Sequence, residues 1–338
     1  MQTCKLCQKN AADKTNTHYL TDGIIRSCLN EDGSNKREKG MAFNISLEET
    51  SIEARFQRST SREGIMRNFG REASEEEIEA AKKPLFAVDH VFCSGCEKKF
   101  TDIENPFIRE VLPILRGKDF SGEQEIAIDH PSVRPFFLLQ VYRTAICDRS
   151  YKLSKEKIET LRKYFDNAEG NIDEVKSIPL HVTYLNTLGG ENQFTTNSVG
   201  IGNNNNNRCV FFNDFVIQTS SDDSPIDMFD YHGLNNEASL KIYTNQNEDA
   251  FKVRLFSNDQ RIAMHNGYHI EKAKKFKENY RKKFSVRYFL KYGSRIHPSQ
   301  VEEFVNAVIH SEEVNDESKY STAHFEKICD LYLDKFKP

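Results

Sequence analysis

The sequence predicts an α+β fold: a small zinc-binding module with a long insertion, followed by a mixed body of helices and antiparallel strands. Three observations predict it. Cys4-Lys5-Leu6-Cys7 and Cys93-Ser94-Gly95-Cys96 are two C-x2-C pairs, the spacing of zinc knuckles. Amphipathic segments with N-capping serines, behind Ser74 and Ser154, mark helices. Runs rich in Val, Ile, Tyr and Phe after residue 178 mark strands.

The 338 residues are enough for two domains. We expect a zinc-knuckle module over 1–117, with an insertion at about 30–84, and an α+β body with C-terminal helices over 118–338. Hydrophobic residues make up 38% and charged residues 29%, in keeping with a water-exposed globular chain. The net charge of −4 excludes a globally basic surface, so nucleic acid would be met by a local patch. No apolar run reaches membrane-spanning length, and no apolar signal region precedes Cys4. The expected location is cytoplasmic, where paired C-x2-C sites favour metal over disulfide. Cys28, Cys147, Cys209 and Cys329 stand alone and read as small buried hydrophobes.

The first knuckle leads through Thr17-His18-Tyr19-Leu20-Thr21 to one or two helical turns around Ile24–Leu29. Asn30–Asn35 reads as a turn or loop. Met41–Leu47 alternates apolar and polar residues, as a half-buried strand does. Ser74 caps a helix with an acidic start and a basic end, stopped by Pro84. Leu85–Phe92 is strand-like and delivers the chain to Cys93. A helix over Glu97–Glu104 follows, and Asn105-Pro106 restarts another. Lys118–Ser132 is loop. Val133–Ile146 is apolar on nearly all sides and reads as the central buried helix. Ser154–Ala168 is a capped amphipathic helix. Ile178–Leu188, Arg208–Thr219, Leu240–Thr244 and Phe251–Phe256 are expected strands, and Gly202–Asn207 a polar loop tip. Ile270–Tyr292 is a long basic helix; Pro298–Ser311 and Ser321–Phe336 are closing helices.

Four thiolates from Cys4, Cys7, Cys93 and Cys96 leave zinc no open coordination position, so that metal would be structural. A catalytic function needs a second centre. His18 and Glu97 are its candidates: an imidazole base and an acidic ligand for a divalent cation are the minimum for metal-assisted phosphodiester hydrolysis. Read without that function, His18 is a packed or exposed residue. Glu104 is seven residues beyond Glu97 on the same helix face, about 10 Å along, too far to share one ion. Its alternative reading is a surface charge or a hydrogen bond to a neighbouring loop.

The order C-x2-C, Thr17-His18, Phe92-Cys93-Ser94-Gly95-Cys96-Glu97, then Glu104 and Phe107 resembles a bacterial family with two zinc knuckles. That family is similar to the treble-clef HNH, or ββα-metal, endonucleases. The helix Phe136–Ala145 with its Tyr142-Arg143 pair also resembles the family, and the likeness covers about residues 1–150. It implies a treble-clef-like zinc module and a nuclease acting on nucleic acid, DNA ahead of RNA, in bacterial anti-phage defence. His18 would be the general base and Glu97 a ligand for Mg²⁺ or Mn²⁺, with Zn²⁺ structural. A partner protein from the same defence system is implied, and no membrane. Tyr19-Leu20-Thr21 stands where the family has an apolar pair and Pro, and Asn30, Asn35 and Asn44 all fall in range of the middle Asn. Asp89-His90 mimics an HNH dipeptide immediately before the second knuckle.

Two basic segments complete the candidate list. Arg55, Arg58 and Arg62 lie between the knuckles, interleaved with glutamates. Lys275, Arg281 and Lys282 lie on the long helix, where Phe276, Tyr280, Phe284 and Tyr288 mark one face. Either segment reads as a phosphate-backbone contact or as a solvated surface. Arg143, in the apolar helix, needs a partner if buried: Asp148 or a carboxylate of the zinc module. The alternative to an enzyme is a non-catalytic zinc-stabilised module that binds nucleic acid or a partner protein.

Overall fold

The computed structural model describes residues 2–26, 39–45, 50–56, 60–69, 71–83, 86–120, 122–167, 172–186, 199–229, 231–248, 250–310 and 322–338, with backbone alone for 26, 39–45, 50–55, 68, 322 and 323. Cys28, the 30–35 turn, Arg58 and Pro84 lie outside them, as does the side chain of Arg55. The elements begin with β1 (Thr17–His18), α1 (Asp22–Arg26), β2 (Lys39–Ile45), β3 (Thr50–Phe56), α2 (Arg62–Phe69), α3 (Glu75–Ala81) and β4 (Ala87–Val88). Next come α4 (Ser94–Pro106), a π-helical turn (Phe107–Val111), α5 (Leu112–Gly117), β5 (Glu125–Ile128), α6 (Val133–Cys147), α7 (Lys155–Asp166) and α8 (Asp173–Lys176). The sheet strands β6 (Leu180–Leu185), β7 (Val199–Asn204), β8 (Asn207–Phe212) and β9 (Phe215–Ser220) follow. The chain ends with α9 (Glu237–Tyr243), β10 (Thr244–Asn245), β11 (Phe251–Phe256), α10 (Asn258–Tyr292), α11 (Pro298–Ile309) and α12 (Thr322–Lys335). The fold class is α+β, as expected, with mixed and antiparallel sheets.

The chain forms two compact units, residues 1–36 with 86–266 and residues 37–85 with 267–338. In the first, β1 pairs with β4, and the large sheet runs β5-β11-β6-β9-β8-β7 with β10 beside β6. Only β11 and β6 are parallel within it. Helix α6 is buried around its circumference, because its apolar residues meet the sheet while the cysteine-bearing N-terminal segments pack on its other flank. Phe107 stacks on Phe136 with centroids 3.9 Å apart and also meets Phe137 and Phe215 edge-on. The knuckles and the sheet thus share one core.

In the second unit β2 and β3 form an antiparallel hairpin. The capping box expected at Ser74 is present: its hydroxyl accepts from Glu77 N, and Glu77 accepts from Ser74 N. Phe276, Tyr280, Phe284 and Tyr288 of α10 are buried against α11 and α12, so the aromatic stripe is a packing face.

Several expectations needed correction. Pro106 restarts nothing: α4 runs through it into the π-helical turn, because buried Phe107 holds the chain in register where the proline ring lacks an N–H. Leu240–Thr244 is mostly helix; Asn236 and Ser239 form a reciprocal cap that starts α9, and this local device outweighs the strand propensity of Ile242 and Tyr243. Gly202–Asn207 is a hairpin: β7 and β8 close through Asn205-Asn206, with Asn205 at φ 47°. The Asn206 amide binds Ser224 Oγ and Pro225 O and so ties the turn down. Strand β5 lies inside the expected Lys118–Ser132 loop, α10 begins twelve positions before Ile270, and the strand expected over Leu85–Phe92 is the two-residue β4.

Candidate functional site

Cys93 is the N-cap of α4 and Cys96 lies in its first turn. Their sulfurs and those of Cys4 and Cys7 all lie within 4.8 Å of one another. The Cys7–Cys93 separation is 3.9 Å, and tetrahedral zinc with bonds of about 2.3 Å sets its sulfurs about 3.8 Å apart. The four residues therefore fit a zinc ion, and the cluster can hold one. Cys93 N donates to Cys4 Sγ at 3.3 Å, and Asn10 Nδ2 approaches Cys93 Sγ at 3.8 Å. Burial pushes the Cys4 and Cys96 thiols up, the cost that a bound cation offsets. Cys7 is pulled down to about 7: burial opposes ionisation there, but the N–H groups of Asn10 and Lys9 outweigh it.

The two knuckle arms are laced together by backbone. Lys5 N donates to Val91 O, Lys14 N to Phe92 O and His90 N to Lys14 O. Asp89 accepts from Asn16 N at 2.5 Å, and His90 Nδ1 lies 3.2 Å from Ala12 O. Asp89-His90 is thus a tie for the 12–18 loop. Asp13 reaches over to Ser94 N and Oγ at 2.8 and 2.7 Å and supports the start of α4.

A cleft of about 350 Å³ opens beside the cysteines, lined by Lys14, Asn16, His18, Asp22, Glu97, Glu104 and Arg143 among others. β1 delivers His18, in register with Ala87 of β4. Its Nε2 lies 3.6 Å from Asp22 Oδ1, and its side chain is 22% exposed. Glu97 comes from the first turn of α4 and Glu104 from its end.

Arg143 of α6 is the hub. Its Nη1 is 3.0 Å from Glu104 Oε1 and its Nη2 3.6 Å from Glu97 Oε2, and Nη2 also donates to the His18 carbonyl. The guanidinium lies over the Phe100 ring at 5.1 Å. Glu104 Oε1 also accepts Thr21 Oγ1 at 2.6 Å, and Thr21 N donates to Gln140 Oε1 at 3.1 Å. The expected carboxylate partner of Arg143 is therefore found on α4, the helix that carries Cys96, while Asp148 serves Tyr19 and Ser150. The other Glu97 oxygen, Oε1, is buried with no hydrogen-bond partner. Burial pushes the Glu97 carboxyl up, against the pull of Arg143 and with a push from Glu104.

Of the expected nucleic-acid contacts, Arg62 pairs with Glu75, Lys275 with Glu271 and Arg281 with Glu302, while Lys282 is exposed. Ion-paired side chains on a face with aromatic packing behind it suit a solvated surface. Sequence reasoning missed Asp22, Thr21 and Lys14. Asp22 carried the only signal, four residues after His18 at the start of a helix. Among the described residues, the cysteines are the only group of three or more side chains placed to hold a metal ion, and no helix is long and apolar enough to cross a membrane. Comparison with protein-family models, curated proteins and solved structures finds no match for this chain.

Proposed function

We propose that this chain is a metal-dependent, HNH-like nuclease acting on nucleic acid. One observation carries the reading: His18 and Glu97 line the same cleft, beside four cysteines placed for zinc. The part-exposed His18 imidazole is positioned to take a proton from water, and nearby Asp22 favours the imidazolium that forms. The unpartnered Oε1 of Glu97 offers a hard oxygen to Mg²⁺ or Mn²⁺. Such an ion supplies Lewis-acid stabilisation of phosphoryl and leaving oxygens when bound. Three carboxylates line the cleft against two cationic side chains, so an anionic phosphodiester needs added positive charge to enter. The order of knuckle, short antiparallel pair, knuckle and helix supports the treble-clef likeness. Anti-phage defence is the setting that likeness suggests.

The test is cleavage of plasmid DNA, single-stranded DNA and RNA with Mg²⁺ or Mn²⁺, comparing wild type with His18→Ala at equal zinc content. Loss of cleavage in the variant supports the reading; equal cleavage in both removes His18 from it. The second reading, a non-catalytic zinc-stabilised module, is favoured by Arg143, which already engages both Glu97 and Glu104. No cleavage of any polymer by wild type would favour it.

A further inference from the structure

Of the basic side chains singled out in the sequence, Arg62, Lys275 and Arg281 are engaged in ion pairs with glutamates, and Lys282 is exposed. The cleft holds two cations. Arg143 is 4% exposed and committed to Glu97, Glu104 and the His18 carbonyl. Lys14 is different. Its residue is exposed, and among the described residues no hydrogen bond or ion pair holds its ammonium. Its backbone is fixed on both sides: N donates to Phe92 O at 3.2 Å and O accepts from His90 N at 2.7 Å. Two residues on, Asn16 N is held by Asp89, so the loop cannot carry Lys14 away from the cleft without breaking these bonds. Lys14 lines the same cleft as Glu97. A flexible cationic side chain on an anchored backbone, at the mouth of an otherwise acidic cleft, is suited to receive a phosphate and hold it beside Glu97.

We infer that Lys14 is the residue that contacts the substrate's phosphate backbone at the cleft, so that the bound strand runs over the 14–18 loop beside His18. The inference rests on the nuclease reading, and it names a contact that reading does not require. Phosphate contacts release counterions, and each lowers the slope of log affinity against log salt by about 0.9 on a duplex and about 0.7 on a single strand.

The experiment measures binding of a short fluorescent DNA duplex and of its single strand across a salt series with Mg²⁺ present. His18→Ala serves as the background to prevent turnover, with Lys14→Gln and Lys14→Arg added to it. Zinc content and circular dichroism confirm that each variant is folded. We expect Lys14→Gln to make the slope shallower by about one and to weaken binding about fivefold near 0.15 M salt. Lys14→Arg should restore both. An unchanged slope in a protein that still binds, from a wild type that still cleaves, overturns the role of Lys14 and leaves the nuclease reading standing. Absence of binding in the background protein, together with absence of cleavage by wild type, overturns both.

Discussion

Arg143 Nη1 and Glu104 Oε1 are 3.0 Å apart, and this contact joins the buried central helix to the far end of the helix that carries Glu97. Both side chains are largely screened from water. Removing the guanidinium strands two carboxylates and frees the His18 carbonyl. We expect Arg143→Ala to cost about 3–5 kcal/mol in urea unfolding. Arg143→Ala combined with Glu104→Gln should cost less than the sum of the single changes, because the partner charge is no longer left alone. Strict additivity would show that the pair is not coupled.

Metal analysis should find one zinc per chain, lost in Cys93→Ser and on treatment with a strong chelator. Because Cys93 caps α4 and its sulfur faces Cys7, zinc removal should expose the 4–18 segment to protease. Unchanged digestion after complete zinc removal would show that backbone lacing alone holds the module.

His181 is fully buried on β6, with Gln218 Nε2 3.3 Å from its Nδ1. Burial, helped by the nearby Arg254 charge, pushes it down to about 3. Between that value and the ordinary one of about 6.5, the unfolded chain binds a proton that the folded chain refuses. The stability is complete above about pH 6.5 and declines as pH falls, by up to about 1.4 kcal/mol per unit. His181→Gln should flatten this slope when unfolding midpoints at pH 7 and pH 5 are compared.

Phe107→Ala should cost about 3–5 kcal/mol, since it opens a cavity where the ring stacks on Phe136. Phe107→Leu should recover most of the loss. A cost below about 1 kcal/mol would mean that the helix collapses into the space.

Ser74→Ala breaks the capping box of α3 and should cost about 1 kcal/mol. Hydrogen exchange of the Glu77 amide reports the change directly.

The sequence made these features legible in proportion to how local they are. The capping serines of α3 and α7 and the apolar run of α6 announce themselves within a few residues, and the structure has all three. Each C-x2-C pair is equally local, and the two pairs converge as expected. Signals that compete over the same window are not legible in this way: Ile242 and Tyr243 favour a strand by propensity where the Asn236 cap makes a helix. In the cleft, the sequence offered His18, Glu97 and a carboxylate partner for Arg143. It could not offer Thr21 bonded to Glu104, or Lys14 and Glu97 lining one cleft, because these arrangements exist only after β1, α4 and α6 have met.

The separation of Cys7 from Cys93 by 86 positions has a consequence for biosynthesis. A ribosome adds roughly 5–20 residues per second, so the first cysteine pair waits on the order of 4–17 s before its partners are made. During that wait the nascent chain holds only two of the four cluster cysteines, half a coordination shell. A metal ion held by all four cysteines would then act as a late clasp, and closing so long a span would restrict the unfolded chain by on the order of 4–5 kcal/mol. Doubling the intervening length would add only about 0.6 kcal/mol. A four-cysteine site of this kind can therefore close only after the second pair has emerged, and the length of what lies between weighs little on that closure.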